Sequence, residues 1–115
     1  MPMPVGKEDV ARAFYGDFLG LTWVDKPVHL AAMGGAWFAF PDGRHVHLQA
    51  EPNFAPFVHP HPAIAVRDLD ALAAQFVERG VTPRWDTRWE GVRRFYAIDP
   101  FGNRLEFVDA GDVGL

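Results

Sequence analysis

No cysteine occurs anywhere in these 115 residues. Its absence excludes disulfide scaffolds, thiolate metal sites and a cysteine nucleophile. Basic runs are missing too: Arg93–Arg94 is the longest, and the net charge is −4 with a pI near 5.6. That leaves no electrostatic footprint for nucleic acid. No apolar stretch approaches the roughly 18 residues a membrane span needs, and the N-terminus has no signal-peptide core. The expectation is a cytoplasmic protein with neither a membrane nor a nucleic-acid partner. There is no Ser–His–Asp order, no Gly-rich phosphate cradle and no dinucleotide fingerprint; Gly34-Gly35 is only a turn signal.

What is present makes a core. Hydrophobic residues are 49% and aromatics 14%, with ten Phe and four Trp, which argues against disorder. The length suits one domain over residues 1–115.

An internal repeat organises that domain. Residues 8–19 (EDVARAFYGDFL) place Val10, Phe14, Phe18 and Leu19 at helical spacing, followed by Gly20 as a stop. Residues 69–79 (LDALAAQFVER) do the same with Leu69, Leu72, Phe76 and Val77, and Gly80 follows. Asp68 suits an N-cap. Each helix leads into a strand-like run carrying Trp, 21–24 and 81–85, and then into a hairpin. The hairpins are 37–40 with 45–48 across Pro41-Asp42-Gly43, and 95–98 with 105–108 across Asp99-Pro100-Phe101-Gly102-Asn103. His47 stands four positions after Gly43, and Glu106 four after Gly102, so the repeat makes them equivalent. The segment 51–60, with three prolines, reads as a linker between module one (1–50) and module two (61–115). The second module opens with a strand, 61–66, whereas only 1–5, with Pro2 and Pro4, precede the first helix. The first strand is therefore expected to be short or missing.

Strand parity selects candidate site residues. In 45–48 the histidines alternate with apolar residues, so His47 faces away from the helix-packed side. In 104–107 Leu105 and Phe107 pack and Glu106 points the other way. In 61–66 Ile64 and Val66 pack, while His61, Ala63 and Ala65 face the concave side. Two imidazoles and a carboxylate suit a divalent metal ion of the Fe, Mn, Ni or Zn kind and leave positions open for a ligand; the donor set does not choose among these, and it disfavours Mg. Along 93–98, Arg94, Tyr96 and Ile98 should face the same side, with Phe38 from the matching strand. Arg94 offers a planar two-donor fork for a carboxylate or phosphonate, while the alternative leaves both arginines on the surface. Tyr96 can serve an oxyanion or act in acid–base catalysis, as can Glu106. His29, His45 and His59 read as surface residues.

The segments VARAFYGDFLGL, HPAIAVRDLDAL and FYAIDPFGNRLEFVD resemble the vicinal oxygen chelate superfamily of glyoxalase I, extradiol dioxygenases, fosfomycin-resistance transferases and bleomycin-resistance proteins. The resemblance spans nearly the whole chain, and FYGDFLGL and DPFGNRLEF are its most specific pieces. It implies an α+β fold of two paired βαβββ modules forming a cupped mixed sheet, helices on the convex side, and commonly a homodimer. It further implies metal ligands on the first and last strands of each module, here His61, Glu106 and His47; the fourth position falls before Met1. A loop there often covers the cup in this family, which makes Trp89, in the expected loop 86–91, a lid residue over the substrate or else an exposed-edge or dimer-interface tryptophan. The implied activity is metal-dependent chemistry on a small oxygen-chelating substrate: dioxygenation, isomerisation or lyase chemistry, or transfer. The site could lie within one chain or across a dimer. The alternative is a metal-free binding protein of the bleomycin-resistance type. Such proteins favour cationic guests, and a cup holding Arg94, Arg104, two histidines and Glu106 as its acid suits a neutral or anionic guest instead.

Overall fold

Proline opens and closes the first strand. In the computed structural model, which describes all 115 residues, β1 spans Pro2–Pro4 and lies at the edge of its sheet. A residue without an N–H is tolerated at an edge, where no neighbour needs that donor. The strand is present, and it runs parallel to the end of β4 (His45–Glu51), with Pro2 opposite Gln49 and Pro4 opposite Glu51.

The chain divides into two compact units, Met1–Phe57 with Pro100–Asn103, and Val58–Asp99 with Arg104–Leu115. The division at Phe57 falls inside the expected linker. Each unit holds one four-stranded mixed sheet. In the first, β1 is followed by α1 (Glu8–Ala11), which continues as a π-helical segment, Arg12–Phe18. Then come β2 (Thr22–Val24), the short α2 (Val28–Ala31), β3 (Ala36–Ala39) and β4, in sheet order β1-β4-β3-β2. The second unit has β5 (Ala63–Val66), α3 (Leu69–Glu78), β6 (Arg84–Asp86), β7 (Arg94–Ile98) and β8 (Arg104–Asp109), in order β5-β8-β7-β6. Each first strand is parallel to the last and the remaining pairings are antiparallel, so the βαβββ repeat is realised twice.

After Ala11 the first helix widens to π geometry. The Leu19 amide donates to the Phe14 carbonyl five residues back (2.9 Å), wider than the α-helical step. Ala11, Phe14 and Tyr15 are buried, whereas Val10 is 39% exposed and so does not join the expected apolar stripe. Tyr15 stacks on Phe38 at 5.4 Å. In α3 the buried set is Leu69, Ala73 and Phe76, and Val77 turns outward at 61% exposure. Asp68 caps this helix, accepting from the Ala71 amide at 3.0 Å. Phe76 meets Phe95 and Phe107 at 5.9 and 5.4 Å, so α3 covers one face of the second sheet.

The tip of the β7–β8 hairpin, Pro100–Asn103, belongs to the first unit. Asn103 is fully buried there; its amide donates to the Pro2 carbonyl (2.7 Å), and its side-chain oxygen accepts from the Phe57 amide (2.8 Å). A buried amide that satisfies two backbone groups is costly to replace with an apolar side chain.

Candidate functional site

Strand register builds the site in the second unit. Tyr96 lies opposite Arg84 on one side and Glu106 on the other, and Glu106 lies opposite Ala63. Directly opposed residues project to the same face, so all four stand on the face away from α3. Arg94, paired with Asp86 and Val108, stands there too. The expectation for Arg94 and Tyr96 holds geometrically, and Arg93, one residue earlier, turns the other way to Asp70 of α3 (2.7 Å).

Glu106 is 5% exposed. Its Oε1 meets His61 Nε2 at 3.0 Å, and its Oε2 accepts from the Arg94 guanidinium at 3.1 Å. His61 lies two residues before β5, and its Nδ1 is 2.7 Å from the His59 carbonyl. A carbonyl oxygen only accepts, so Nδ1 carries the proton and Nε2 is the nitrogen presented to Glu106. The His61 ring also meets Tyr96 edge-on at 5.4 Å. Arg94 reaches Asp86 at 3.7 Å and lies 5.5 Å from the Trp89 ring, while its Nε is buried without a partner. Trp89 itself is half-exposed. Asp86 closes β6 instead of opening a loop, which makes it a second acid on this face. Hydrogen bonds from the Arg88 side chain and amide hold its carboxyl far below the ordinary range. Arg88 in turn is raised, mainly by Asp86.

The first unit holds the remaining candidates. His47 stacks on Trp37 with ring centres 3.8 Å apart and planes 2° apart, and its Nε2 is 3.2 Å from His45 Nδ1. Phe38 does not face the open side. It is 0% exposed, packed between Tyr15 and Trp23, because the register pairs it with Val46 and pairs Trp37 with His47. Trp37 is the residue that shares a face with His47. The sequence signal was present in the alternation of the facing strand: whichever residue opposes His47 shares its side.

The His47 imidazole is held below its ordinary 6.5, first by loss of hydration and then by His45, the N-terminal ammonium and Lys26. The folded chain therefore takes up this proton less readily than the unfolded one. The associated stability is intact above about pH 6.5 and is lost as pH falls below that value. Following the His47 Cε1 proton by NMR should give a midpoint below 6.5; one at or above it would contradict the arrangement.

His61 and Glu106 are brought together, whereas His47 stands on the other unit's sheet, and no group of three His, Asp or Glu side chains is placed to hold a metal ion. The His61–Glu106 pair nevertheless suits two neighbouring ligands. Bonds of about 2.1 Å at right angles would put donor atoms about 3.0 Å apart, and a carbonyl on the far ring nitrogen is the usual partner of a metal-bound histidine. Arg94 on Oε2 is the competing cation.

The model of the Glyoxalase/Bleomycin resistance protein/Dioxygenase superfamily matches residues 3–107. Among solved structures, a glyoxalase family protein from Bacillus anthracis is 39% identical, covering 94% of this chain and 88% of its own with a TM-score of 0.87. A lactoylglutathione lyase from Agrobacterium tumefaciens is 21% identical over 99% of this chain and 92% of its own, TM-score 0.70. The antibiotic-binding protein TnmS3 from a Streptomyces species is 23% identical over 95% and 91%, TM-score 0.72. The last two share the fold and carry no more than that. No curated protein matches the sequence. With a 3–107 match and a 39%-identical structure across nearly its whole length, this chain belongs to the Glyoxalase/Bleomycin resistance protein/Dioxygenase superfamily.

Proposed function

We propose that this chain is a divalent-metal-dependent enzyme acting on a small substrate through its oxygen atoms. His61 and Glu106 supply two metal ligands, and His47, at the matching strand position of the first unit, is the third residue to test. The observation that carries the reading is the orientation of His61. Its Nδ1 is fixed on the His59 carbonyl, and its Nε2 is aimed at Glu106 Oε1, 3.0 Å away. An ion of the Fe, Mn, Ni or Zn kind bound there would polarise a substrate oxygen. Arg94 fixes the Glu106 carboxylate plane through Oε2 and leaves Oε1 to the ion. Tyr96, edge-on to His61, can donate to a developing oxyanion. Trp89 borders the Arg94 side of this face. The proposed partner is a small molecule and the proposed assembly a homodimer.

One observation favours a second reading, a metal-free small-molecule binder: Arg94 already gives Glu106 a cationic partner. Relatives with this fold include both a lyase and an antibiotic-binding protein. Elemental mass spectrometry of protein purified without chelator or histidine tag separates the two. About one transition-metal ion per chain is expected, lost in His61→Ala, because removing one ligand of a small site collapses its affinity. No metal, and none taken up when Mn, Fe, Ni or Zn is added, would establish the binder. Full loading of His61→Ala would overturn the ligand assignment.

A further inference from the structure

The charges on the open face of the second sheet do not balance, and the imbalance is localised. Asp86 is engaged by Arg88 and Arg94, and Glu106 by Arg94 and His61. Arg104 has no acidic partner. Its guanidinium lies over the Tyr96 ring, 3.7 Å from the centre. Arg84, exposed and directly across from Tyr96 on β6, has none either. Opposite Arg104 on β7 stands Ile98, 52% exposed, an aliphatic side chain beside an unneutralised cation.

We propose that Arg104, Tyr96 and Ile98 form the seat for the substrate, and that the substrate is a small organic anion with an apolar body. The anionic group sits on Arg104 and the apolar part on Ile98. The inference rests on this face being the substrate site, as the function above requires, and it names the substrate class. Stacking on Tyr96 restricts the guanidinium before any ligand arrives, so little side-chain entropy is lost on binding. The planar fork keeps its edge donors available for two parallel bonds to a carboxylate or phosphonate. Arg94, the arginine singled out by sequence, is less suited. Its side chain is 15% exposed and already donates to Glu106, so an anion there would have to displace a buried carboxylate.

Benzoate is the probe, titrated into the full chain while arginine Nε–H and isoleucine methyl signals are followed by NMR, with benzyl alcohol as the neutral match. Saturable shifts at Arg104 and Ile98 are expected with benzoate and not with benzyl alcohol. Arg104→Gln should weaken benzoate about tenfold, the scale of a lost charge-assisted pair. Arg93→Gln, which removes the same charge from the opposite side of the sheet, should leave the affinity unchanged. No saturable shift, equal binding of the alcohol, equal weakening in both variants or undiminished binding in Arg104→Gln would each overturn the seat. Benzoate lost in His61→Ala and kept in Arg104→Gln would place the carboxylate on the metal ligands. That result sinks this inference and leaves the proposed enzyme standing. A metal-free protein with the Arg104 effect intact would do the reverse.

Discussion

Glu106→Ala is expected to lower the unfolding free energy by about 3 kcal/mol, the range for breaking a buried charge pair by deleting one partner. Glu106 is the meeting point of His61 and Arg94, with 7% of its side chain exposed against 15% for Arg94. Without the carboxylate, Arg94 keeps only Asp86, 3.7 Å away and already clamped by Arg88, and its Nε has no partner to begin with. The Arg94 guanidinium would then face a cavity, and desolvation that was offset becomes uncompensated. The double variant Glu106→Ala/Arg94→Met should recover part of the loss, since neither charge is then left alone. Urea unfolding of the two single variants and the double variant measures this directly. A cost under about 1 kcal/mol for Glu106→Ala, the range of exposed pairs, would mean that water screens the group and that the pair is of the surface kind.

Gly35→Ala should be the most damaging single-methyl addition in the first unit, at about 3 kcal/mol or more. Gly35 precedes β3 with φ +87°, and a Cβ there would sit 2.3 Å from the Leu48 carbonyl oxygen. That oxygen belongs to the β4 backbone, one residue beyond His47, so it cannot move aside without disturbing the strand that pairs His47 with Trp37. Gly43 provides the control. It has the same φ of +87°, but nothing lies within 4 Å of its would-be Cβ. Gly43→Ala should cost only the left-handed backbone penalty, about 1 kcal/mol. The difference between the two unfolding energies isolates the steric contact. Equal costs would show that the loop before β3 relaxes freely.

The sequence by itself determined the repeated helix, strand and hairpin order, because apolar spacing of two and of three to four residues, broken by Gly and Pro, is a local property of the chain. It also determined that His47 and Glu106 are equivalent. Both hairpins turn over the same number of residues after the same kind of Pro/Gly turn, so equal offsets give equal register. Parity worked wherever polar and apolar residues alternate, as it did for Arg94, Tyr96 and Glu106. It failed in Ala36-Trp37-Phe38-Ala39, where every residue is apolar and the strand's own alternation marks no side; the pairing with Val46 and His47 puts Phe38 under the helix and Trp37 beside the histidine. Helical spacing misjudged one residue of the first helix, where the buried stripe runs through Ala11, Phe14 and Tyr15 and leaves Val10 at its edge. The engagement of Glu106 by His61 and Arg94, and the isolation of Arg104 over Tyr96, were decided by tertiary structure alone. A charge has no partner in one dimension: which of several arginines neutralises a carboxylate depends on distances across strands that lie 12 and 45 residues apart in the chain.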